Sequence, residues 1–327
     1  MGARVLVTGG AGYIGSIVVE QLVERGHMPV VVDDLSTGHR EAIAAGVEFV
    51  PGNVGDRRVL ETLLAREPFD ALMHFAAYAL VSESVAQPAK YHENNVVAGR
   101  TLLEASVRAG VRRVIFSSSC AVYGHPAVEH IPEDTPPAPV NPYGETKLAF
   151  EQILARLAAT EGLRSVSLRY FNAAGASARL GEDHAPETHL IPNVLRVAGG
   201  QADALDVFGT DYPTPDGTAI RDYIHVLDLA DAHVRALDAD VTGALALNLG
   251  TGTGASVLAV AAAARRVTGR AIPTVARARR AGDPPRLVAA RGRAEAVLGW
   301  RPRHSGLEEI VASAWAWHRA HPLGYRN

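Results

Sequence analysis

The chain has 327 residues, of which 47% are hydrophobic and 20% are charged, and its formal net charge is −3. This composition is that of an ordinary globular protein, and it gives no electrostatic reason to expect a nucleic-acid or anionic-membrane partner. Cys120 is the only cysteine, which excludes an intrachain disulfide, and no apolar run approaches the roughly 18 residues that span a bilayer.

Apolar runs that predict buried strands alternate with helical patterns through the first half of the chain. The predicted strands cover residues 5–7, 29–32, 47–50, 71–75, 114–116 and 165–168, and the predicted helices cover 14–25, 56–66, 94–109 and 143–160. This alternation predicts an α/β fold with a doubly wound parallel sheet of the Rossmann type, which binds ligands at the carboxyl ends of its strands.

The pattern becomes more irregular after residue 172. Helical stretches are predicted at residues 188–199, 227–238, 256–268 and 307–319, between segments rich in glycine, proline and polar residues. We therefore expect a first domain over 1–172 and a smaller C-terminal α/β domain over 173–327, and segments of the two can interleave.

Three glycines with the spacing Gly-x-x-Gly-x-x-Gly follow the first predicted strand at the start of a helix. Gly9, Gly12 and Gly15 permit a tight turn and a close approach of a pyrophosphate to free helical N–H groups. Asp33 and Asp34 end the next strand, where a carboxylate accepts hydrogen bonds from an adenosine ribose and repels a 2′-phosphate. This combination predicts that the chain binds NAD rather than NADP.

A second glycine cluster, residues 250–254, also follows a strand-like run, residues 244–249. No acidic residue follows the next strand-like segment, residues 271–275, so we interpret the cluster as a structural turn.

Tyr143 and Lys147 are four residues apart, and Lys147 is one of only two lysines in the chain. On a helix this spacing places both on one face. An ammonium about 6 Å away would lower the pKa of the phenol from about 10 to about 8, which would make tyrosine a usable base. A turn tyrosine followed by a solvent-facing lysine remains the alternative.

Ser119 follows the predicted strand at 114–116, and with the motifs above it completes a pattern that resembles the extended short-chain dehydrogenase/reductase superfamily. Within it, the chain is similar to the UDP-glucose 4-epimerases along essentially its whole length. The stretches that carry this likeness are residues 8–16, 74–77, 94–96, 169–172, 188–192, 211–217, 221–226 and 280–283. The last three are the most specific to nucleotide-sugar epimerases.

The resemblance implies roles for particular residues. Tyr143 would be the acid/base, Lys147 would tune it and hold the cofactor ribose, and Ser119 would bond the reacting sugar hydroxyl. The implied NAD contacts are Gly9, Gly12, Tyr13, Ile14, Gly15, Asp33, Asp34, Leu35, Ser36, Thr37, Gly38, Asn53, Val54, Phe75, Ala76, Ala77, Ala79, Asn94, Tyr143, Lys147 and Phe171. The implied substrate contacts are Ser119, Tyr143, Asn172, Leu190, Val207, Phe208, Arg221, Arg280 and Asp283, and no metal is implied.

Three positions depart from the family pattern. Asn53 stands where aspartate is frequent, Ala79 where some members have lysine, and Leu287 where a large aromatic residue excludes N-acetylated sugars in some members. The first two bear on how tightly NAD is held, and the third leaves the range of sugars open.

The resemblance implies interconversion of UDP-galactose and UDP-glucose through a 4-keto sugar. Tightly bound NAD would accept the C4 hydride and return it to the opposite face. The alternatives are a 4-epimerase of another UDP-sugar (UDP-GlcNAc/GalNAc or a UDP-pentose), a net NAD-dependent oxidoreductase, and a non-catalytic NAD sensor. The resemblance also implies a homodimer joined through the helices at 94–109 and 143–160, although the apolar positions of the second helix fit an internal core equally well. Since the N-terminus lacks a leader-like segment, we also expect a cytoplasmic location.

Overall fold

A computed structural model describes residues 2–280, 282–304 and 306–325. The strands are β1 Arg4–Thr8, β2 Met28–Asp33, β3 Glu48–Pro51, β4 Ala71–His74, β5 Arg113–Ser119, β6 Arg164–Tyr170, β7 Asn172–Ala174, β8 Leu205–Phe208, β9 Ile220–His225, β10 Ala244–Leu249, β11 Gly254–Ser256, β12 Thr274–Arg277 and β13 Arg286–Leu287. The helices are α1 Tyr13–Glu24, α2 Arg57–Leu64, α3 Val81–Ala86, α4 Pro88–His92, α5 Gly99–Arg108, α6 Pro142–Glu161, α7 Leu190–Ala198, α8 Val226–Asp238, α9 Val257–Thr268, α10 Arg293–Leu298 and α11 Leu307–Ala320.

The core of the molecule is a seven-stranded sheet in the order β10-β6-β5-β4-β1-β2-β3, and all its pairs are parallel. Successive residues of β1 face opposite sides of the sheet, because side chains alternate along a strand. Val5 and Val7 pack with apolar residues of α1 and α8, whereas Leu6 packs with those of α2, α5 and α6. The sheet is therefore covered by helices on both faces, which confirms the predicted doubly wound fold.

The strand order reverses between β1 and β4, and such a switch point is where open α/β sheets bind ligands. The glycine turn after β1 and the loop after β4 flank this point. The fold thus places the predicted nucleotide motif at the edge of the sheet where a ligand is expected.

A smaller part of the molecule lies beyond this edge. Strand β9 pairs with β7, β11 and β13, and β8 pairs with β12. Apolar residues of α7, α9 and α11 form a separate core beside these strands. Strand β10 and helix α8 also follow residue 172, yet they belong to the large sheet and its cover. The domain division at residue 172 stays a prediction. In the fold, β10 and α8 from beyond residue 172 return to the part of the molecule that residues 1–172 form.

The predicted helices and strands lie within a few residues of the observed ones. The main difference falls on the predicted helix at 94–109, which begins as a π-helical segment, Glu93–Ala98, before α5. No helix in the described part of the chain is both long enough and apolar enough to cross a membrane.

Candidate active site

The turn after β1 requires glycine at two of the three positions of the Gly-x-x-Gly-x-x-Gly motif. Gly9 has a φ of 74°, and a Cβ there would lie 2.4 Å from the backbone nitrogen of Ala76. A Cβ on Gly15 would lie 2.2 Å from the carbonyl oxygen of Gly9. Gly12 is different, because among the described residues a Cβ there would meet only the Gly9 oxygen, at 3.4 Å. Packing demands the first and third glycines, whereas the second keeps space open in front of α1.

Gly12 is also the N-cap of α1 and provides no side-chain hydrogen bond to the first helical turn. The first N–H groups of a helix lack partners within the helix and carry partial positive charge. Uncapped donors with open space before them fit the pyrophosphate of a dinucleotide. The residues present at this turn therefore fit NAD.

The two acidic residues after β2 have different surroundings. Asp33 is buried and accepts hydrogen bonds from the backbone N–H groups of Ala11 at 3.0 Å and Leu35 at 2.9 Å. Asp34 is exposed and accepts one from the side-chain amide of Asn53 at 2.9 Å. Asp33 therefore braces the glycine turn, while the Asp34 carboxylate is the more open of the two toward a ligand. Ribose contacts by either residue stay predictions.

The other residues assigned to NAD lie along the same edge of the sheet. Residues 35–38 follow β2, Asn53 and Val54 follow β3, residues 75–79 follow β4, and Phe171 follows β6. Asn94 lies in the π-helical segment. The side chains of Val54 and Phe171 are buried, so their predicted contacts with NAD would involve mainly the backbone.

Helix α6 begins at a point that its sequence specifies. The Asn141 side chain accepts a hydrogen bond from the Gly144 N–H at 2.8 Å, and Pro142 occupies the first helical position. Both features are typical of helix starts. Tyr143 therefore lies in the first turn of α6, with Lys147 one turn further on the same face.

The three residues predicted to be catalytic come together where β5 meets α6. The Lys147 ammonium donates to the carbonyl oxygen of Ser117 at 2.8 Å, and its Nζ lies 5.7 Å from the centre of the Tyr143 ring. The Ser119 hydroxyl lies close enough to the Tyr143 phenol to lower the pKa of that phenol. A hydroxyl, a phenol and an ammonium thus share one site at the carboxyl edge of the sheet.

The predicted lowering of the Tyr143 pKa is wrong for the chain by itself. Burial raises the pKa of Tyr143 to about 12, and the nearby Ser119 hydroxyl opposes that rise only in part. Burial also lowers the pKa of Lys147 to about 7, against an opposing effect of the Glu151 carboxylate. The sequence-based reasoning counted the attraction between the two groups and left out their shared loss of hydration.

Several residues predicted to bind substrate meet beside this site. Arg221 on β9 forms an ion pair with Asp283 at 2.5 Å, and the Arg280 guanidinium lies 4.1 Å above the Phe208 ring. Burial raises the pKa of the Cys120 thiol to about 12, and the charge of Arg221 opposes that rise. The structure therefore brings Arg221 close to the residue that follows Ser119.

The remaining substrate predictions fall on less open positions. Asn172 pairs with Tyr223 of β9, and Leu190 begins α7; both are half-buried. Val207 is 2% exposed and packs in the core of the smaller part. Its side chain is unavailable to a sugar nucleotide, so a contact there would involve the backbone.

Sequence reasoning missed a buried ion pair behind the catalytic residues. Glu151 and Arg169 are 9% and 6% exposed, and the guanidinium binds both carboxylate oxygens, at 2.9 and 2.5 Å. The only available signal was the spacing of Glu151, two helical turns after Tyr143 and one after Lys147.

A second missed group is a cluster of two histidines and two glutamates before α7. The donor atoms of Glu182, His184, Glu187 and His189 all lie within 4.8 Å of one another. The neighbouring Glu182 carboxylate raises the pKa of His189 well above its usual value, which favours imidazolium–carboxylate pairs. The same donors suit divalent metals, so the expectation that no metal is bound stays a prediction.

The second glycine cluster has its backbone donors occupied by the protein. The carboxylate of Asp222 accepts hydrogen bonds from the N–H groups of Thr251 at 2.8 Å, Gly252 at 3.0 Å and Ala289 at 3.1 Å. This geometry confirms that the cluster is a structural turn.

Comparisons with known proteins agree with this geometry. The family described as NAD dependent epimerase/dehydratase matches residues 5–250. The UDP-glucose 4-epimerase of Lactobacillus helveticus is 48% identical over 328 residues, which cover 99% of each chain.

Two solved structures are similar over nearly the whole chain. The UDP-glucose 4-epimerase from Brucella ovis in complex with NAD is 49% identical with a TM-score of 0.92, covering 96% of this chain and 97% of that one. The UDP-Glc/GlcNAc 4-epimerase from Campylobacter jejuni is 39% identical with a TM-score of 0.85, covering 98% and 100%. The chain belongs to the NAD dependent epimerase/dehydratase family, which confirms the predicted resemblance and the predicted cofactor.

Proposed function

We propose that the chain interconverts UDP-glucose and UDP-galactose by inverting the configuration at C4 of the sugar. The observation that carries this proposal is the meeting of Ser119, Tyr143 and Lys147 beside a glycine turn that fits NAD. Relatives named as UDP-glucose 4-epimerases, 48% and 49% identical over nearly the full length, support it.

NAD supplies, when bound, a group that accepts a hydride from the sugar C4 and returns it. The chain's own residues handle the proton and the geometry. Tyr143 takes the proton of the C4 hydroxyl and later returns it, and Ser119 orients that hydroxyl. Burial opposes this task because it raises the pKa of Tyr143 to about 12. Lys147 in its charged form is the chain's own group that lowers that pKa.

Inversion requires the 4-keto sugar to present both faces while its nucleotide stays bound. Arg221 and Arg280 suit a diphosphate, because guanidinium groups make charge-assisted bidentate hydrogen bonds to phosphate oxygens. Asp283 already pairs with Arg221 at 2.5 Å, which holds the guanidinium near the catalytic edge. A firm grip on the diphosphate with fewer polar contacts to the hexose would leave the sugar free to rotate.

Substitution Tyr143→Phe tests the proposal. The variant keeps the aromatic ring and loses the phenol, so we expect turnover to fall by about 10²–10⁴-fold while NAD stays bound. The measurement is exchange between UDP-galactose and UDP-glucose, with bound nucleotide extracted and quantified. Tyr91→Phe is the matched control, since Tyr91 is another buried tyrosine whose hydroxyl bonds the Glu83 carboxylate. Normal turnover in Tyr143→Phe would remove the base assignment.

A second candidate activity is 4-epimerisation of N-acetylated UDP-sugars. Leu287 on β13 pairs in register with Arg221 on β9 and is smaller than the aromatic residue expected to exclude an N-acetyl group. The Campylobacter jejuni relative is named as a UDP-Glc/GlcNAc 4-epimerase. A panel of UDP-hexoses, UDP-N-acetylhexosamines and UDP-pentoses separates these activities, and net accumulation of NADH would instead indicate an oxidoreductase.

A homodimer joined through α5 and α6 and a cytoplasmic location belong to this proposal as predictions. Sedimentation of the purified chain tests the first, and cell fractionation tests the second.

A further inference from the structure

Three successive serines at the end of strand β5 contact side chains of helix α6. The Ser117 carbonyl oxygen accepts from Lys147 at 2.8 Å, and the Ser118 hydroxyl donates to Glu151 at 2.5 Å. The Ser119 hydroxyl lies beside the phenol of Tyr143. The helix partners are spaced by four residues, so they form one stripe along α6. The third member of this stripe, Glu151, lies outside the catalytic group described above.

Glu151 is held by hydrogen bonds from two neighbouring strands of the sheet. Arg169 on β6 binds both of its carboxylate oxygens, and a further nitrogen of Arg169 donates to the Tyr123 hydroxyl at 2.9 Å. The Tyr123 hydroxyl in turn donates to Asn248 at 2.7 Å. The carboxylate therefore occupies a fixed place, supported by strands β5, β6 and β10.

The ammonium of Lys147 has a weak set of partners for a buried charge. Its hydrogen bond goes to a neutral carbonyl, and its side chain is 3% exposed. Such a group loses its proton readily, because burial disfavours the charged form. Glu151 is the carboxylate that opposes this loss.

We propose that Glu151 is a positioning residue that keeps Lys147 protonated and keeps Lys147 and Ser119 in register with Tyr143. This inference rests on the proposed function, in which charged Lys147 makes Tyr143 a better base. The titratable or charged groups around Lys147 are Tyr143 and Glu151 on α6, His74 on β4, Arg169 and Tyr170 on β6, and Cys120 after β5. Burial lowers the pKa of His74 to about 3, so His74 is neutral near pH 7 and Glu151 is the anion among these groups.

The test is a direct titration of Lys147 by NMR with lysine labelled at the ε carbon. The chain has two lysines, so two signals are expected, and Lys147→Met assigns them. In Glu151→Gln we expect the Lys147 midpoint to fall by about one pH unit, because the variant removes a nearby negative charge and leaves the Arg169 cation. Lys90, whose charged and aromatic partners are Glu83 and Tyr78, is the internal reference and should keep its midpoint.

Two further variants separate electrostatics from folding. Ser118→Ala removes one hydrogen bond of the network and retains the carboxylate, so the Lys147 midpoint should move by less than about 0.3 pH units. Glu151→Asp moves the charge back by one methylene, and a smaller fall in the same direction is expected. If Glu151→Gln gives no folded protein, the titration of Lys147 in Glu151→Asp tests the proposal instead. An unchanged Lys147 midpoint in the variant that folds overturns the proposal.

Activity provides the second readout. The alkaline limit of turnover in Glu151→Gln should move to lower pH by the same amount as the Lys147 midpoint. If wild-type protein epimerises no UDP-sugar, the proposed function fails while the titration still reports on Glu151. If wild-type protein is active and neither the midpoint nor the alkaline limit moves, the positioning role fails alone.

Discussion

Two glycine turns follow parallel strands of the same sheet, and they differ in what occupies their backbone donors. Gly9, Gly12 and Gly15 follow β1, where the N-cap position leaves the first turn of α1 uncapped. The turn at residues 250–254 follows β10, where the Asp222 carboxylate takes two of the backbone N–H groups. Glycine spacing alone therefore identifies a turn, and the free donors identify a site for an anion.

The contrast also shows which sequence signal was informative. An acidic pair after the next strand predicted the nucleotide turn, and the lack of such a residue after 271–275 predicted the structural one. The carboxylate that fills the second turn comes from Asp222, about thirty positions earlier in the chain. Its role depends on the pairing of β9 with its neighbours, which sequence spacing does not report.

The largest effect is expected from removing the carboxylate of the structural turn. In Asp222→Ala the N–H groups of Thr251 and Ala289, which are buried, and of Gly252, which is partly buried, lose their acceptor. At about 1–3 kcal/mol for each buried group, the free energy of unfolding should fall by roughly 3–5 kcal/mol. Urea unfolding measures it. Asp206→Ala is the matched control, because Asp206 forms an exposed pair with Arg277 that should contribute less than about 1 kcal/mol. A loss below about 1 kcal/mol for Asp222→Ala would contradict the prediction that the hydrogen bonds of this carboxylate stabilise the fold.

A smaller and different effect is expected at the nucleotide turn. Gly12→Val places a side chain in the space before α1, so NAD affinity should fall about 100-fold, equivalent to about 2.7 kcal/mol. The free energy of unfolding without NAD should change by less than about 1 kcal/mol, since the site is open. Calorimetric titration and urea unfolding measure the two quantities.

Gly306→Val is the control for that test. Gly306 is also an N-cap glycine, at the start of α11, with a φ of −68°. Among the described residues, the atom nearest to a Cβ placed there would be the Glu309 Cβ, at 3.8 Å. It should leave NAD affinity unchanged. Equal losses of affinity in the two variants would show that Gly12 acts through stability and has no direct relation to the ligand.

The smallest effect concerns the choice between NAD and NADP. Asp34 is exposed beside the nucleotide turn, and its charge should repel a 2′-phosphate. In Asp34→Ser we expect the preference for NAD to fall about tenfold, or about 1.4 kcal/mol. The ratio of the affinities for NAD and NADP, measured on one preparation, gives this preference. An unchanged ratio would show that other residues determine the selectivity.

The sequence predicted the large sheet and its helices well, because their signals are local. Helix α6 is an example: Asn141 and Pro142 define its start, and Gly162 in a left-handed conformation defines its end. The π-helical segment Glu93–Ala98 was not predicted, because nothing in its composition distinguishes it from an α-helix.

The sequence predicted where the catalytic residues lie, but it did not predict the direction of the Tyr143 pKa shift. Spacing placed Tyr143 and Lys147 together, yet the direction of the Tyr143 pKa shift depends on burial by residues distant in sequence. The role inferred for Glu151 depends on Arg169, which reaches it from β6. Hydration and long-range ion pairs are properties of the folded arrangement, so the pattern of residues on α6 could not report them.

The late position of β10 and α8 in the chain has a consequence for biosynthesis. A nascent chain that has emerged only to residue 172 contains six of the seven strands, while the outer edge of β6 and the apolar face of α1 still lack their partners. Those surfaces stay uncovered until residue 249 has left the ribosome. The nucleotide-binding half is thus completed only after β7, α7, β8 and β9 of the smaller part have been translated. This interval is when chaperones would protect the growing polypeptide.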